Sequence, residues 1–192
     1  MAKYTIVELL GDGISRELSQ SVHSVGAALP CEFEFVPVDL SDESRKKVGP
    51  KLFDQAEARM REHKVALKYP TATTAESPNK VLRTRCKFAV IHRPVCTIPG
   101  IPTNFSKLID IDVVRIATGG TYEDMGRRIG LDTAVSLRVI ERRPCELAAR
   151  FAFKLAQIRG TGVVSTSKWT IQQATDGLFE EAVGLVASDY PA

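Results

Sequence analysis

A chain of 192 residues, 44% hydrophobic and 26% charged, is long enough to bury a core of its own and has the composition of an ordinary globular protein. Its 26 Lys and Arg against 23 Asp and Glu leave a net charge of +3, too even a balance to single out nucleic acid or an anionic membrane as a partner. No run approaches the roughly 20 apolar residues that span a bilayer, and the amino terminus passes into a strand-like run without a signal-peptide pattern.

The first apolar run, residues 3–10, ends at Gly11-Asp12-Gly13. Residues 14–29 follow with Leu18, Val22 and Val25 at helical spacing, so the reading is strand, tight turn, helix. A glycine-flanked aspartate after a strand is turn chemistry first of all. Residues 32–38 alternate as a strand, 52–63 are helix-like, and 64–68 suit a buried strand, an order that favours a parallel sheet. The polar stretches 39–50 and 69–80 read as loops.

Residues 77–85 suit a short helix with Ser77 as N-cap and Pro78 at its first position. A strand is expected at 88–95, a redirection at the Pro- and Gly-containing 98–102, and a second β-branched strand at 110–117. A new structural unit is placed near residue 89. The pattern of 132–142 predicts an antiparallel arm, 144–159 a helix with Leu147, Phe151, Leu155 and Ile158 on one face, 161–167 a strand, and 170–187 a last helix with Ile171, Leu178, Val183 and Val186. The Phe151 and Phe153 pair reads as core packing. No two of Cys31, Cys86, Cys96 and Cys145 have the spacing of a zinc knuckle, and His23, His63 and His92 are scattered. We expect free thiols, surface or partly packed histidines and no metal site.

Several strings, in this order, carry a resemblance: residues 9–17 (LLGDGISRE), 77–83 (SPNKVLR), His92-Arg93-Pro94, 98–103 (IPGIPT), 112–122 (DVVRIATGGTY), 149–157 (ARFAFKLAQ) and 165–179 (STSKWTIQQATDGLF). The chain resembles the isocitrate and isopropylmalate dehydrogenase family over nearly its whole length, and Ser77-Pro78-Asn79 is closer to the isocitrate enzymes. The resemblance implies an incomplete three-layer α/β fold with an antiparallel arm. Residues 1–88 would be the amino-terminal part of the large α/β domain and 89–192 a truncated small, dimerisation domain. It also implies a tricarboxylate site, for which arginine suits carboxylate because its planar, permanently charged fork pairs bidentately. By motif, Arg83, Arg93 and Arg115 match the substrate arginines, and Ser77 and Asn79 the isocitrate-contacting pair. Tyr122 matches the tyrosine that assists proton transfer, and Lys168 the lysine that deprotonates the hydroxyl, roles that ask for burial of both groups. Outside those motifs, one arginine among 26 basic residues reads as surface charge, Tyr122 as a loop cap and Lys168 as a surface lysine beside Trp169.

The same resemblance marks departures. Leu10 and Ser15-Arg16 replace prolines and a glycine of the first turn, Ile116 replaces a glutamate, and Thr170 stands where the family's NAD-dependent branch has asparagine, as in the eukaryotic NADP-dependent branch. Residues 69–76, at the place of a glycine-rich loop on the nicotinamide side of the cofactor, are short, lack glycine and begin with Tyr69. Family members are nearly twice as long, and the remainder carries the aspartates for Mg²⁺ or Mn²⁺ and the adenosine loop for NAD or NADP. Metal polarisation of the carbonyl and a positioned hydride acceptor are both needed for oxidative decarboxylation. No cofactor or metal is therefore expected on this chain alone. Residues 1–88 by themselves would leave strand edges and an apolar sheet face uncovered. The expectation is a non-catalytic structural or regulatory subunit of a larger assembly on the mitochondrial matrix side. Its partners would be a catalytic isocitrate dehydrogenase chain or another mitochondrial complex, with citrate or isocitrate as ligand and neither nucleic acid nor a membrane span. The alternative is the amino-terminal half of an NAD- or NADP-dependent isocitrate dehydrogenase of the tricarboxylic acid cycle, completed by another chain or a longer one.

Overall fold

The computed structural model describes residues 2–74, 76–105, 107–121 and 124–191. The chain divides into two units, Met1–Lys87 and Phe88–Ala192.

In the first unit, β1 (Lys3–Leu10) lies between β2 (Glu32–Asp39) and β3 (Ala66–Lys68), all parallel. Alternation along β1 decides what each face meets. Val7 and Leu9 point into a core with Val38, Leu40, Leu52, Ala56 and Leu82, so α3 (Lys51–His63) and α4 (Pro78–Cys86) cover that face. Glu8 points the other way, to α1 (Ser15–Ala27). Helices on both faces make the α/β/α arrangement expected, and among the described residues the edges of β2 and β3 stay unpaired. Neither face of β1 is left bare, contrary to the expected uncovered sheet face.

Apolar spacing located α1 but not its inner face. Leu18 and Val25 are exposed, whereas Ser15, Ser19 and His23, four residues apart, lie on the sheet side and Gly26 packs on Phe33. The reason is Glu8. It is 3% exposed, and its Oε1 accepts from the Ser19 hydroxyl at 2.8 Å and the Tyr69 hydroxyl at 2.8 Å, with His23 Nε2 at 2.9 Å. A buried carboxylate requires donors, and a polar helix stripe supplies them.

Burial, together with the Glu8 carboxylate that it faces, pushes the Tyr69 hydroxyl up to about 12. Below pH 10 it is protonated in both folded and unfolded chains; from 10 to 12 only the unfolded chain ionises. Stability should therefore fall as pH rises through that window, by about 3 kcal/mol from this group. Urea unfolding across the window should show a shallower decline for Tyr69→Phe than for the parent chain. Equal slopes would refute the assignment.

Residues 39–50, expected as a loop, contain α2 (Asp42–Val48). It buries no residue, so it has no apolar period to detect. Its signature is electrostatic: Ser41 Oγ caps the Ser44 N–H, Asp42 and Glu43 stand in the first turn, and Arg45, Lys46 and Lys47 in the last.

In the second unit, β4 (Val90–Cys96) and β5 (Asp110–Ile116) pair antiparallel, and a short hairpin of β6 (Arg127–Ile129) and β7 (Thr133–Val135) forms the arm. Asp124 braces the hairpin base, accepting from the Gly126 N–H at 2.9 Å and the Leu137 N–H at 2.5 Å, bonds that lower its carboxyl pKa. The following helices are α5 (Arg142–Arg159) and α6 (Thr175–Ala187). On α5 the buried positions are Cys145, Ala148, Ala149 and Ala156, while Leu147, Phe151 and Ile158 are exposed. Small side chains let the helix approach closely, and the larger expected face turns outward. Helix α6 begins five residues later than predicted, leaving Ile171 outside it and exposed. Residues 161–167, predicted as a strand, join no ladder among the described residues. The four cysteines are free thiols. No helix among the described residues is long and apolar enough to cross a membrane.

Candidate functional site

In the first unit the candidate residues sit on the opening of α4. Ser77 holds the N-cap position with extended backbone, but its side chain makes no capping bond, which corrects the sequence expectation. Pro78 is buried and anchors the first turn, as a residue without an N–H can. Asn79 and Arg83, four positions apart, lie one above the other on α4. Arg83 is half-buried and Asn79 exposed.

The turn after β1 is closed by the chain itself. Asp12 Oδ1 accepts the Asp42 N–H at 2.8 Å and Oδ2 the Ala72 N–H at 2.7 Å, while the Asp12 N–H donates to the Pro70 carbonyl at 2.8 Å. Arg45 Nη2 donates to the Ala72 carbonyl at 2.6 Å, and Lys68 Nζ to the Tyr69 carbonyl and Thr71 Oγ1. Burial lowers the pKa of Lys68. Tyr69 itself is 4% exposed, folded into the core instead of projecting from the loop.

In the second unit, strand register brings two candidates together. Arg93 pairs with Val113 and Arg115 with Ile91, so the arginines are diagonal neighbours on one sheet face. The opposite face carries His92, whose Nε2 lies 2.6 Å from Asp112 Oδ1 and whose ring packs 5.4 Å from that of Phe151 on α5. His92 and then Arg159 hold the Asp112 carboxyl below its ordinary range, and Arg159 also bridges to Asp110 at 2.5 Å. Helix α5 meets the pair on the His92 face through Phe151.

Beyond β5 the chain turns through Gly119 and Gly120, both at positive φ, and Gly120 exchanges backbone bonds with Val139. A cavity of about 220 Å³ lies here, bordered by Arg115, Thr118, Thr121, Arg138 and Cys145. Tyr122 lies outside the described residues. Lys168 is exposed, not buried as its proposed role asks, and borders neither this cavity nor the larger groove along β5. Its backbone is pinned: the N–H donates to Asp176 Oδ2 at 2.7 Å, and the carbonyl accepts from Ile171 and Gln172. Asp176 is 2% exposed and pairs with Arg138 Nη1 at 2.8 Å.

Sequence reasoning missed Asp176, Arg138, Glu8 and the bracing role of Asp12. A carboxylate inside the apolar stretch of β1 is the signal that could have marked Glu8, whereas Asp176 stands in the first turn of α6, where an acidic residue is ordinary. No group of three or more His, Cys, Asp or Glu able to hold a metal ion occurs among the described residues.

Comparison with known proteins sets these residues in a frame. Residues 3–192 match the family described as isocitrate/isopropylmalate dehydrogenase. The chain belongs to that family. It is 31% identical to a mitochondrial NAD isocitrate dehydrogenase regulatory subunit of Dictyostelium discoideum, over 98% of this chain and 52% of that protein. It is 34% identical to the 3-isopropylmalate dehydrogenase of Archaeoglobus fulgidus, over 97% of this chain and 57% of that protein. The crystal structure of isocitrate dehydrogenase from Methylococcus capsulatus superposes with a TM-score of 0.85 at 27% identity, covering all of this chain and 58% of that one. The chain spans about half the length of the relatives it matches. Its fold is the isocitrate/isopropylmalate dehydrogenase fold in part, and the oxidoreductase family is its family.

Proposed function

We propose that this chain is a non-catalytic structural or regulatory subunit of a larger isocitrate dehydrogenase-like assembly in mitochondria, on the matrix side. The observation that carries the reading is the arm: Met125, Leu131 and Leu137 at the hairpin are 98, 87 and 66% exposed. Exposed apolar side chains of this size along one arm support its being covered by another protein. The name of the Dictyostelium relative, a mitochondrial regulatory subunit, supports the same assignment. Partners are then a catalytic isocitrate dehydrogenase chain or another mitochondrial complex.

Arg93 and Arg115 give the subunit a use for citrate or isocitrate. Two guanidinium groups side by side on one strand pair suit two carboxylates of one ligand, each held by charge-assisted bonds. Ser77, Asn79 and Arg83 are the further ligand contacts in this reading. In the loop at residues 69–74 the Ala72 N–H and carbonyl are committed to Asp12 and Arg45, which supports a reading without a bound dinucleotide. No step through NAD, NADP, Mg²⁺ or Mn²⁺ is assigned to this chain.

A second reading has one observation in its favour. The pinned loop that presents Lys168 suits the amino-terminal half of an NAD- or NADP-dependent isocitrate dehydrogenase, completed by another chain or a longer one. Native mass of the protein from its own source, with turnover of isocitrate measured by nicotinamide absorbance, separates the two. A large assembly in which this chain adds no turnover of its own supports the subunit; an active monomer refutes it. In calorimetry with citrate, Arg93→Ala and Arg115→Ala should each weaken binding about 10- to 100-fold, as expected for charged hydrogen bonds of ~1.5–3 kcal/mol. Unchanged affinity in both would remove the ligand role.

A further inference from the structure

On the face of the β4–β5 pair that lies behind the two arginines, one carboxylate joins three elements. Asp112 on β5 accepts from His92 Nε2 on β4 at 2.6 Å and from Arg159 on α5, and its side chain is 14% exposed. Asp110, two residues earlier on the same strand face, bridges to Arg159 at 2.5 Å, and among the described residues its side chain makes no bond to β4.

Register shows what the His92–Asp112 bond does. His92 stands opposite Val114 and Asp112 opposite Pro94, so the bond crosses the strand pair on a diagonal. Arg93, opposite Val113, and Arg115, opposite Ile91, form a diagonal on the other face. Viewed each from its own face, the two diagonals lean the same way. Paired strands twist, and a change of twist slides the side chains of one strand past those of the other, in opposite senses on the two faces. Diagonals that lean alike from their own sides therefore open or close together. The arginines, as like charges, push theirs open. The bond from His92 to the Asp112 carboxylate is charge-assisted and pulls its own closed, while Arg159 holds the acceptor from α5.

We propose that Asp112 is a positioning residue of the carboxylate site: by clamping the strand twist through His92 it sets the separation of Arg93 and Arg115 to one that two carboxylates of a single ligand can bridge. Asp112 does not touch the ligand, which lies on the opposite face. The proposal rests on the reading of Arg93 and Arg115 as citrate or isocitrate contacts given above. Through its charge alone, removal of this carboxylate would tighten the binding of an anion. Through loss of the clamp it weakens a ligand that needs both arginines, so the two accounts differ in sign.

The test is citrate calorimetry on the full chain, with circular dichroism at the working temperature to confirm that each variant is folded. Asp112→Ala should weaken citrate binding at least tenfold. Asp112→Asn, which keeps an acceptor for His92, should stay within threefold of the parent. Asp110→Ala, which removes the neighbouring charge and leaves the clamp, should stay within twofold. In the Arg115→Ala background, where no separation is left to set, Asp112→Ala should cost less than a further twofold. Should Asp112→Ala unfold, His92→Phe, which keeps a ring against Phe151 and removes the donor, carries the same tenfold expectation. An Asp112→Ala or folded His92→Phe chain with parent affinity or better, an equal loss from Asp110→Ala, or a full tenfold loss repeated in the Arg115→Ala background overturns the clamp and leaves the arginine site standing. A parent chain that does not bind citrate, or whose binding survives Arg93→Ala and Arg115→Ala unchanged, removes the ligand reading and this proposal with it.

Discussion

Alanine in place of Gly11 is expected to destabilise the first unit by roughly 3 kcal/mol or more. A Cβ there would stand 1.9 Å from the Pro70 carbonyl oxygen and 2.9 Å from the Pro70 carbonyl carbon, so backbone has to move. That backbone is held in place by the Asp12 N–H on the same carbonyl and by the Ala72 N–H on the Asp12 carboxylate. Gly13, two residues on, makes the contrast. Its φ is +60° and nothing lies within 4 Å of where a Cβ would stand, so Gly13→Ala should cost only about 1–2 kcal/mol, from backbone strain. Denaturant unfolding of the two variants tests this; equal losses would show that the close approach of the loop is not what Gly11 serves.

The second large effect is expected at Arg138 and Asp176. Arg138→Ala leaves the nearly buried Asp176 carboxylate with the Lys168 N–H but without its counter-ion. Breaking a buried pair from one side costs about 3–5 kcal/mol. Arg138 is itself partly solvent-exposed, which reduces the expected loss to roughly 2 kcal/mol. Removing both charges together, Arg138→Met with Asp176→Leu, should cost less than the sum of the single changes, because no uncompensated charge then remains. A double-mutant cycle from urea unfolding checks the pair. Strict additivity would show that the two groups stabilise the unit independently.

The difference between the two glycines illustrates how far the sequence could be read. Gly11-Asp12-Gly13 is visibly a turn, and the turn is there. That Gly11 serves a close approach and Gly13 a positive φ depends on where residues 70–72 pass, some sixty positions away. Lys168 shows the same division at the candidate site. Its motif singled it out, yet whether it is buried, and that Asp176 pins its loop, follow from the start of α6 and from Arg138 reaching across. Arg93 and Arg115 were found as separate motif residues; the β4–β5 register makes them neighbours.

Most strand and helix positions, the parallel order of the first three strands, the antiparallel arm and family membership were determined by the sequence alone, because they depend on local periodicity, caps and short motifs. Tertiary structure decided which faces turn inward: the polar stripe of α1 around Glu8, the alanine stripe of α5, and a segment at residues 161–167 with strand-like residues and no ladder among the described residues. A strand is completed by backbone bonds to a neighbour, and a helix face is chosen by what it packs against. Neither is a property of the residues taken along the chain.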